Sequence, residues 1–121
     1  MREILFRGKR ADNGEWVEGY YSTSGNYECI MKDALYDHYI VDPSTVGQFT
    51  GLLDKDGKRI FEGDVVRDID DGGLRSVAYV SGAFWTFARD TMYDLMGNCN
   101  GCLEVVGNVH DNPELIGGEE G

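Results

Sequence analysis

A mainly β fold is predicted by three features of this 121-residue sequence. Short runs rich in β-branched and aromatic residues recur along the chain, for example Glu15–Thr23 and Leu74–Val80. Turn-forming pairs such as Asn13-Gly14 and Gly72-Gly73 separate them. Helical apolar spacing occurs in a single short stretch, Asp90–Met96. A chain of this length can bury a core without disulfides or metals.

The N-terminal part predicts a β-hairpin followed by shorter strands. Glu3–Lys9 is predicted as a strand with Ile4 and Phe6 on one side, Asp12–Gly14 can turn the chain, and Glu15–Thr23 returns. Three further extended segments follow before the middle of the chain: Tyr27–Met31, Tyr36–Val41 and Val46–Thr50.

The second half predicts a three-stranded meander, a helix and a last strand. The meander strands are Val65–Ile69, Leu74–Val80 and Ala83–Ala88. In Asp90–Met96 the aspartate can cap a helix of about two turns, whose methionines and leucine share one face. Leu103–Val109 is the last strand. A small, strongly bent barrel is one way to protect the edges of so many short strands.

The charge balance disfavours nucleic acid and anionic membranes as partners. There are 22 Asp and Glu against 11 Lys and Arg, which gives a net charge of −11. Residues 90–121 hold seven acids and no base, whereas residues 1–10 hold four bases and one acid. This distribution has two interpretations: solubility with attraction within the fold, or an acidic face that meets a basic partner.

A cytoplasmic location is expected from the apolar patterning. The first ten residues have apolar side chains after Met1 only at Ile4–Phe6, too short for a signal peptide. No apolar run approaches the 18 residues or so of a membrane span. Three cysteines do not make a disulfide framework, in agreement with a reducing compartment.

Cys99-Asn100-Gly101-Cys102 is the sharpest chemical motif. Two cysteines at this spacing can bind one metal or exchange a disulfide, but a structural zinc site needs four ligands. The other soft ligands, Cys29, His38 and His110, form no second pair. We therefore predict a surface turn with two free thiols, keep Cys99 and Cys102 as the weaker zinc hypothesis, and expect no cofactor.

Other chemistry-bearing residues have structural interpretations. Asp54 and Asp56 precede Gly57, but this glycine comes two places too early for an EF-hand, and Val65 occupies the position of the last carboxylate ligand. Solvated turns are therefore expected there. Core packing or a subunit interface is expected for five aromatic residues: Tyr20, Tyr21, Phe84, Trp85 and Phe87.

The stretch Gln48–Val66, QFTGLLDKDGKRIFEGDVV, resembles the signature of the YopX-like family of phage proteins. Three further segments resemble the family in order and spacing: Met1–Arg7, Val77–Phe87 and Glu104–Leu115. The resemblance therefore covers nearly the whole chain. Two departures stand out, since many relatives carry Ala-Trp in place of Gly8-Lys9 and Asn26–Pro43 has no clear match.

The resemblance implies a phage or prophage protein with an SH3-type barrel in its C-terminal part. Residues 44–116 would form the barrel, and residues 1–43 would form a hairpin and a variable segment packed on it. Residues 117–121 are expected to be a frayed tail. The resemblance implies no enzymatic activity, catalytic residue or cofactor, and Asn26–Pro43 is the place where a protein-specific binding surface is expected.

Eight positions of the resembling segments are assigned structural roles, because they are turn glycines or residues that bond or bend the backbone. They are Thr50, Gly51, Gly57, Gly63, Asp64, Gly107, Asn108 and Pro113.

Three functional hypotheses follow. The first is a non-enzymatic interaction module with a protein partner, which could be a second copy of the chain. The second is an acidic decoy that mimics nucleic acid and binds a basic host protein. The third is an enzyme or zinc-assisted enzyme that uses Cys99, Cys102 and a histidine.

Overall fold

The structure, a computed structural model, describes residues 5–31, 38–70, 72–88, 91–94 and 102–116. The chain divides into two compact units, Met1–Gly51 and Leu52–Gly121, called the first and second unit below. The sequence-based boundary after residue 43 falls inside the first unit. Both units are built from antiparallel strands, which confirms the mainly β class.

The described residues of the first unit form five strands. In order they are β1 (Phe6–Lys9), β2 (Trp16–Ser24), β3 (Tyr27–Met31), β4 (His38–Val41) and β5 (Gly47–Leu53), whose last two residues belong to the second unit. Their spatial order is β4-β3-β2-β1-β5. The turn between β1 and β2 contains Gly14 at φ 76°, a conformation that suits glycine. A one-turn 3-10 helix, Pro43–Thr45, precedes β5 and is capped by Asp42.

The first sheet curls until β4 meets the end of β1. Arg10 and Val41 form an antiparallel bridge. The N–H of Ala11 donates to the carbonyl of Ile40 at 2.9 Å, and the N–H of Asp42 donates to Lys9 at 2.8 Å. Two glycines allow this curvature: a Cβ on Gly8 would lie 3.0 Å from Val41 Cβ, and one on Gly19 would fall on the Met31 carbonyl oxygen.

Six further strands are formed by those residues of the second unit that the structure describes. They are β6 (Arg59–Phe61), β7 (Asp64–Asp68), β8 (Leu74–Val80), β9 (Ala83–Ala88), β10 (Thr91–Asp94) and β11 (Leu103–Asn108). β6 follows β5 in the strand order, and the other five form a sheet in the order β10-β9-β8-β7-β11. The chain then enters a 3-10 turn, Pro113–Ile116. One buried cluster in the core of this unit contains Ile60, Val66, Val77, Phe84 and Leu103.

The helix predicted over Asp90–Met96 is wrong for Thr91–Asp94. These residues are β10, which pairs antiparallel with β9 from Thr91 opposite Ala88 to Asp94 opposite Trp85. A helix of about two turns has no intrinsic stability, whereas a β-branched and an aromatic residue beside an existing strand gain ladder hydrogen bonds. The rest of the predicted helix lies outside the described residues.

Three predicted strands, Tyr27–Met31, Leu74–Val80 and Ala83–Ala88, are confirmed with the same bounds. The strand predicted from residue 36 is described only from His38, and β7 begins one residue before its predicted start. β6 is a strand that the sequence pattern does not predict.

Candidate functional site

The glycines of the segment Gln48–Val66 adopt backbone conformations that other residues rarely adopt. Gly51, Gly57 and Gly63 adopt φ values of 92°, 84° and 94°, which side-chain-bearing residues resist. Asp64 is 1% exposed, and its Oδ2 accepts a hydrogen bond from the N–H of Phe61 at 2.7 Å, as its position after a glycine predicted. Thr50 is equally buried. These contacts are those of a structural segment.

The last strand ends in a tight asparagine turn. Asn108 Oδ1 accepts hydrogen bonds from the backbone N–H groups of His110 and Asp111, at 3.0 and 2.9 Å. The backbone N–H of Asn108 donates to Asn112 Oδ1. A Cβ on Gly107 would lie 2.5 Å from that same Asn112 oxygen. Pro113 then begins the 3-10 turn. The sequence identified Gly107, Asn108 and Pro113 but missed Asn112.

Asp54, treated from sequence as a solvated turn residue, is buried at 4% exposure. Its two carboxylate oxygens accept hydrogen bonds from the N–H groups of Asp56, Lys58 and Val105 at 2.8, 2.9 and 3.0 Å. Burial alone would raise the pKa of Asp54, but the three donors and the nearby Lys58 charge together lower it below its ordinary value. The carboxylate therefore holds a turn of the second unit against β11.

The cysteines do not form the predicted pair of free thiols. Cys102 is disulfide-bonded in the structure, so its sulfur is not a thiolate ligand, and Cys99 lies outside the described residues. Cys29 is a free thiol in the interior of the first unit, at 2% exposure. His38 and His110 are exposed. Within the described ranges, no three His, Cys, Asp or Glu side chains are arranged to hold a metal ion.

The predicted aromatic cluster divides by environment. Phe84 is buried in the core of the second unit at 5% exposure, and Trp85 and Phe87 are partly buried. Tyr20 and Tyr21 are 51% and 40% exposed, so core packing does not account for them. Among the residues described, no helix has the length and apolar character needed to cross a membrane.

An open groove of about 570 Å³ lies in the first unit, where β1 ends beside β4. Its volume is in the range typical of binding sites. The lining combines three large side chains of apolar character, Tyr27, Tyr39 and Ile40, with four residues that are charged, polar or small: Arg10, Ala11, Asp12 and His38. Four of the lining residues, Tyr27, His38, Tyr39 and Ile40, belong to Asn26–Pro43, the segment expected to carry a protein-specific surface.

Arg10 is held in one orientation within the groove. Its guanidinium lies 4.5 Å from the centroid of the Tyr39 ring and donates two hydrogen bonds to the Asp12 carboxylate, at 3.0 and 2.7 Å. The side-chain hydrogen bond between them raises the pKa of Arg10 and lowers the pKa of Asp12. The Asp12 side chain is 67% exposed against 24% for Arg10, so the carboxylate is the more accessible charge of the pair.

Comparisons with known proteins place this fold in context. No match was found among curated proteins. The chain is similar to a solved structure, the crystal structure of protein EF1440 from Enterococcus faecalis, with a TM-score of 0.63 and 23% identity. The match covers 96% of this chain and 99% of that one, and at this identity it shows a shared fold. The family profile described as YopX protein matches residues 5–117. The chain therefore belongs to the YopX protein family.

Proposed function

We propose that this protein is a non-enzymatic accessory protein of a phage or prophage, that it acts in the host cytoplasm, and that it is a protein-interaction module. The observation that carries the proposal is the groove of the first unit, where tyrosine and isoleucine side chains surround an oriented ion pair. Concave apolar surfaces with a few fixed polar groups are typical of binding sites. The phage origin rests on the resemblance of Gln48–Val66 to the family signature.

Two of the groove side chains are strongly exposed, and an exposed tyrosine outside the lining lies on the neighbouring strand. Tyr27 and Ile40 are 59% and 44% exposed, and Tyr20 is exposed on the neighbouring strand. Ile40 lies opposite Cys29, two residues from Tyr27, so Tyr27 and Ile40 project from the same face of the sheet. Such a patch is poorly suited to water and well suited to a protein partner.

The second unit supports the finer proposal of an SH3-type barrel within residues 44–116. It contains five successive antiparallel strands, β7 to β11, and β11 carries an irregularity between Val105 and Gly107 of the kind that bends strands into barrels. A crystal structure of the full chain would test this proposal. A sheet with two widely separated edges would contradict it.

Site-specific photocrosslinking tests the interaction proposal. A photoreactive phenylalanine analogue replaces Tyr27, and in a matched control it replaces Tyr79, which is 47% exposed in the second unit. In cells that naturally carry the gene, we expect a discrete protein adduct from position 27 that Ile40→Asp removes. Equal adducts at both positions, or none from position 27, would overturn a role for the groove. An adduct with the mass of two chains would identify a second copy as the partner.

The alternative proposal, an acidic decoy for a basic host protein, is supported by the seven acids and no base of residues 90–121. A decoy binds through its overall field, so salt weakens its complex steeply. The same crosslinking experiment separates the two proposals. Binding of a nucleic-acid-binding protein that DNA displaces, and that Ile40→Asp leaves unchanged, would favour the decoy.

A further inference from the structure

The outer edge of β4 offers backbone hydrogen-bonding groups to the groove. The Ile40 carbonyl points away from β3, because it accepts the N–H of Ala11. In a β-strand, the N–H and the C=O of one residue point toward the same edge of the strand. The next residue points its groups toward the opposite edge, so residues two apart share a direction. The amide of Ile40 and both backbone groups of His38 therefore face outward. Ala11 is the last described residue of the first unit that bonds to this edge. Across the part of the chain that the structure describes, no strand pairs with the amide of Ile40 or with the backbone groups of His38.

The β1 chain leaves this edge because it turns. The N–H of Gly14 donates to the Arg10 carbonyl at 2.9 Å, which closes the turn that starts β2. Ala11 and Asp12 consequently line one side of the groove, and His38–Ile40 lines the other. The pairing between β1 and β4 therefore stops at Ala11. An added strand from another chain could continue it along β4.

Side chains on either side of this edge are arranged for an extended segment. An added strand would place alternate side chains on the face that carries Tyr27 and Ile40, both of which are exposed. Its other side chains would lie on the opposite face. Recognition by strand addition takes affinity from backbone hydrogen bonds and specificity from such alternating side-chain positions.

Charge selects the partner. The Asp12 carboxylate is the more accessible charge of the pair, since its side chain is 67% exposed, whereas Arg10 is 24% exposed and lies against the Tyr39 ring. The chain as a whole carries a net charge of −11, which repels acidic segments and attracts basic ones.

These observations deepen the proposed function and rest on it. We propose that the groove binds an extended, basic peptide segment of a partner protein, which adds to the outer edge of β4. An apolar side chain of the segment packs on Tyr27 and Ile40, and a neighbouring Lys or Arg side chain pairs with Asp12.

A displayed library of random eight-residue peptides, selected on the full-length protein, tests this proposal. We expect enriched sequences to alternate apolar residues with Lys or Arg. Fluorescence anisotropy of a selected peptide should show binding weakened about tenfold or more by Ile40→Asp and by Tyr27→Ala. Tyr79→Ala, which removes a comparably exposed ring in the second unit, is the matched control and should bind unchanged.

Backbone methylation gives the discriminating measurement. N-methylation of the selected peptide at alternate residues should abolish binding in one register and leave it unchanged in the other, because only one set of N–H groups meets β4. Proline-rich or acidic consensus sequences, indifference to methylation in both registers, or no enrichment over the Ile40→Asp protein would overturn the proposal. If the library fails while crosslinking at position 27 succeeds, this inference falls and the interaction module stands.

Discussion

Asp54 and Val105 are joined by a hydrogen bond across a sequence separation of 51 residues, in which the Val105 N–H donates to Asp54 Oδ2 at 3.0 Å. The other oxygen of the same carboxylate closes the turn at Asp56–Lys58. One buried side chain therefore holds both a local turn and a strand distant in sequence. The adjacent bond from the Lys55 N–H to the Leu103 carbonyl, at 2.8 Å, ties the same two segments.

Removal of this carboxylate should destabilise the protein more than removal of its neighbour. Asp54→Ala leaves three backbone N–H groups without their acceptor, and buried unsatisfied groups of this kind cost about 1–3 kcal/mol each when water cannot replace the partner. We expect a loss of about 2–4 kcal/mol in the free energy of unfolding, measured by urea denaturation. Asp56→Ala removes an exposed carboxylate paired with Lys55 and should change it by less than about 1 kcal/mol. Equal losses would contradict the assigned role.

The contribution of Asp54 should also depend on pH. Its pKa is lowered in the folded protein, so the folded state favours the ionised form. The resulting stabilisation is complete above the unfolded-state pKa of about 3.9 and is lost as the pH falls through the folded-state value. The difference in unfolding free energy between the unchanged protein and Asp54→Ala should therefore be constant from about pH 5 to 8 and narrow below about pH 4. A difference that widens in acid would contradict this sign.

The sequence predicted the strands well because their signals are local. Leu74–Val80 and Ala83–Ala88 carry β-branched or aromatic residues between turn pairs, and that information is complete within each segment. Thr91–Asp94 failed because its methionine also fits a helical face, and the partner strand that decides the outcome is a tertiary feature.

The groove was beyond sequence reasoning for a similar reason. It exists because Arg10 bridges Val41, and this pairing depends on the curvature of the whole first sheet. Local patterns showed an Asn-Gly turn and several tyrosines, but not that Tyr39 would lie under the Arg10 guanidinium. Asp54 was missed because its burial depends on Val105, which no local pattern connects to it.

The curvature of the first sheet should be sensitive to a single methyl group. In Gly19→Ala the new Cβ would fall on the carbonyl oxygen of Met31, a backbone atom of the neighbouring strand that cannot rotate away. We expect a loss of about 2–3 kcal/mol in the free energy of unfolding, in the range of overpacked sites. Ser22→Ala in the same strand removes only a long 3.5 Å contact to Thr23 and is the control, expected to stay within about 0.5 kcal/mol. Calorimetry of both variants compares their stabilities. A Gly19→Ala protein as stable as the unchanged one would contradict this close approach of Gly19 to Met31.

Two ion pairs of the second unit should contribute differently to the free energy of unfolding, because they differ in burial. Arg75 and Asp68 lie 3.3 Å apart with side chains 7% and 14% exposed, whereas Arg67 and Glu104 lie 3.6 Å apart and are 48% and 31% exposed. Asp68→Ala leaves a buried guanidinium without this carboxylate and should cost about 3 kcal/mol or more. Glu104→Ala should cost less than about 1 kcal/mol. Chemical denaturation measures the free energy of unfolding of both variants. A larger loss from Glu104→Ala than from Asp68→Ala would mean that burial does not decide how much these pairs stabilise the protein.

Ile40 and Ile30 offer a test of whether the groove side chains serve the fold or a partner. They lie on adjacent paired strands, but Ile40 is 44% exposed and Ile30 is fully buried. Threonine keeps the β-branched shape and adds a hydroxyl, which costs nothing in water and is unfavourable in a core. We expect Ile40→Thr to change the free energy of unfolding by less than about 0.5 kcal/mol, and Ile30→Thr to lower it by about 2–4 kcal/mol. Urea denaturation of both variants compares them. A large loss from Ile40→Thr would assign that side chain to the fold, whereas a neutral outcome leaves an exposed isoleucine that stability does not require.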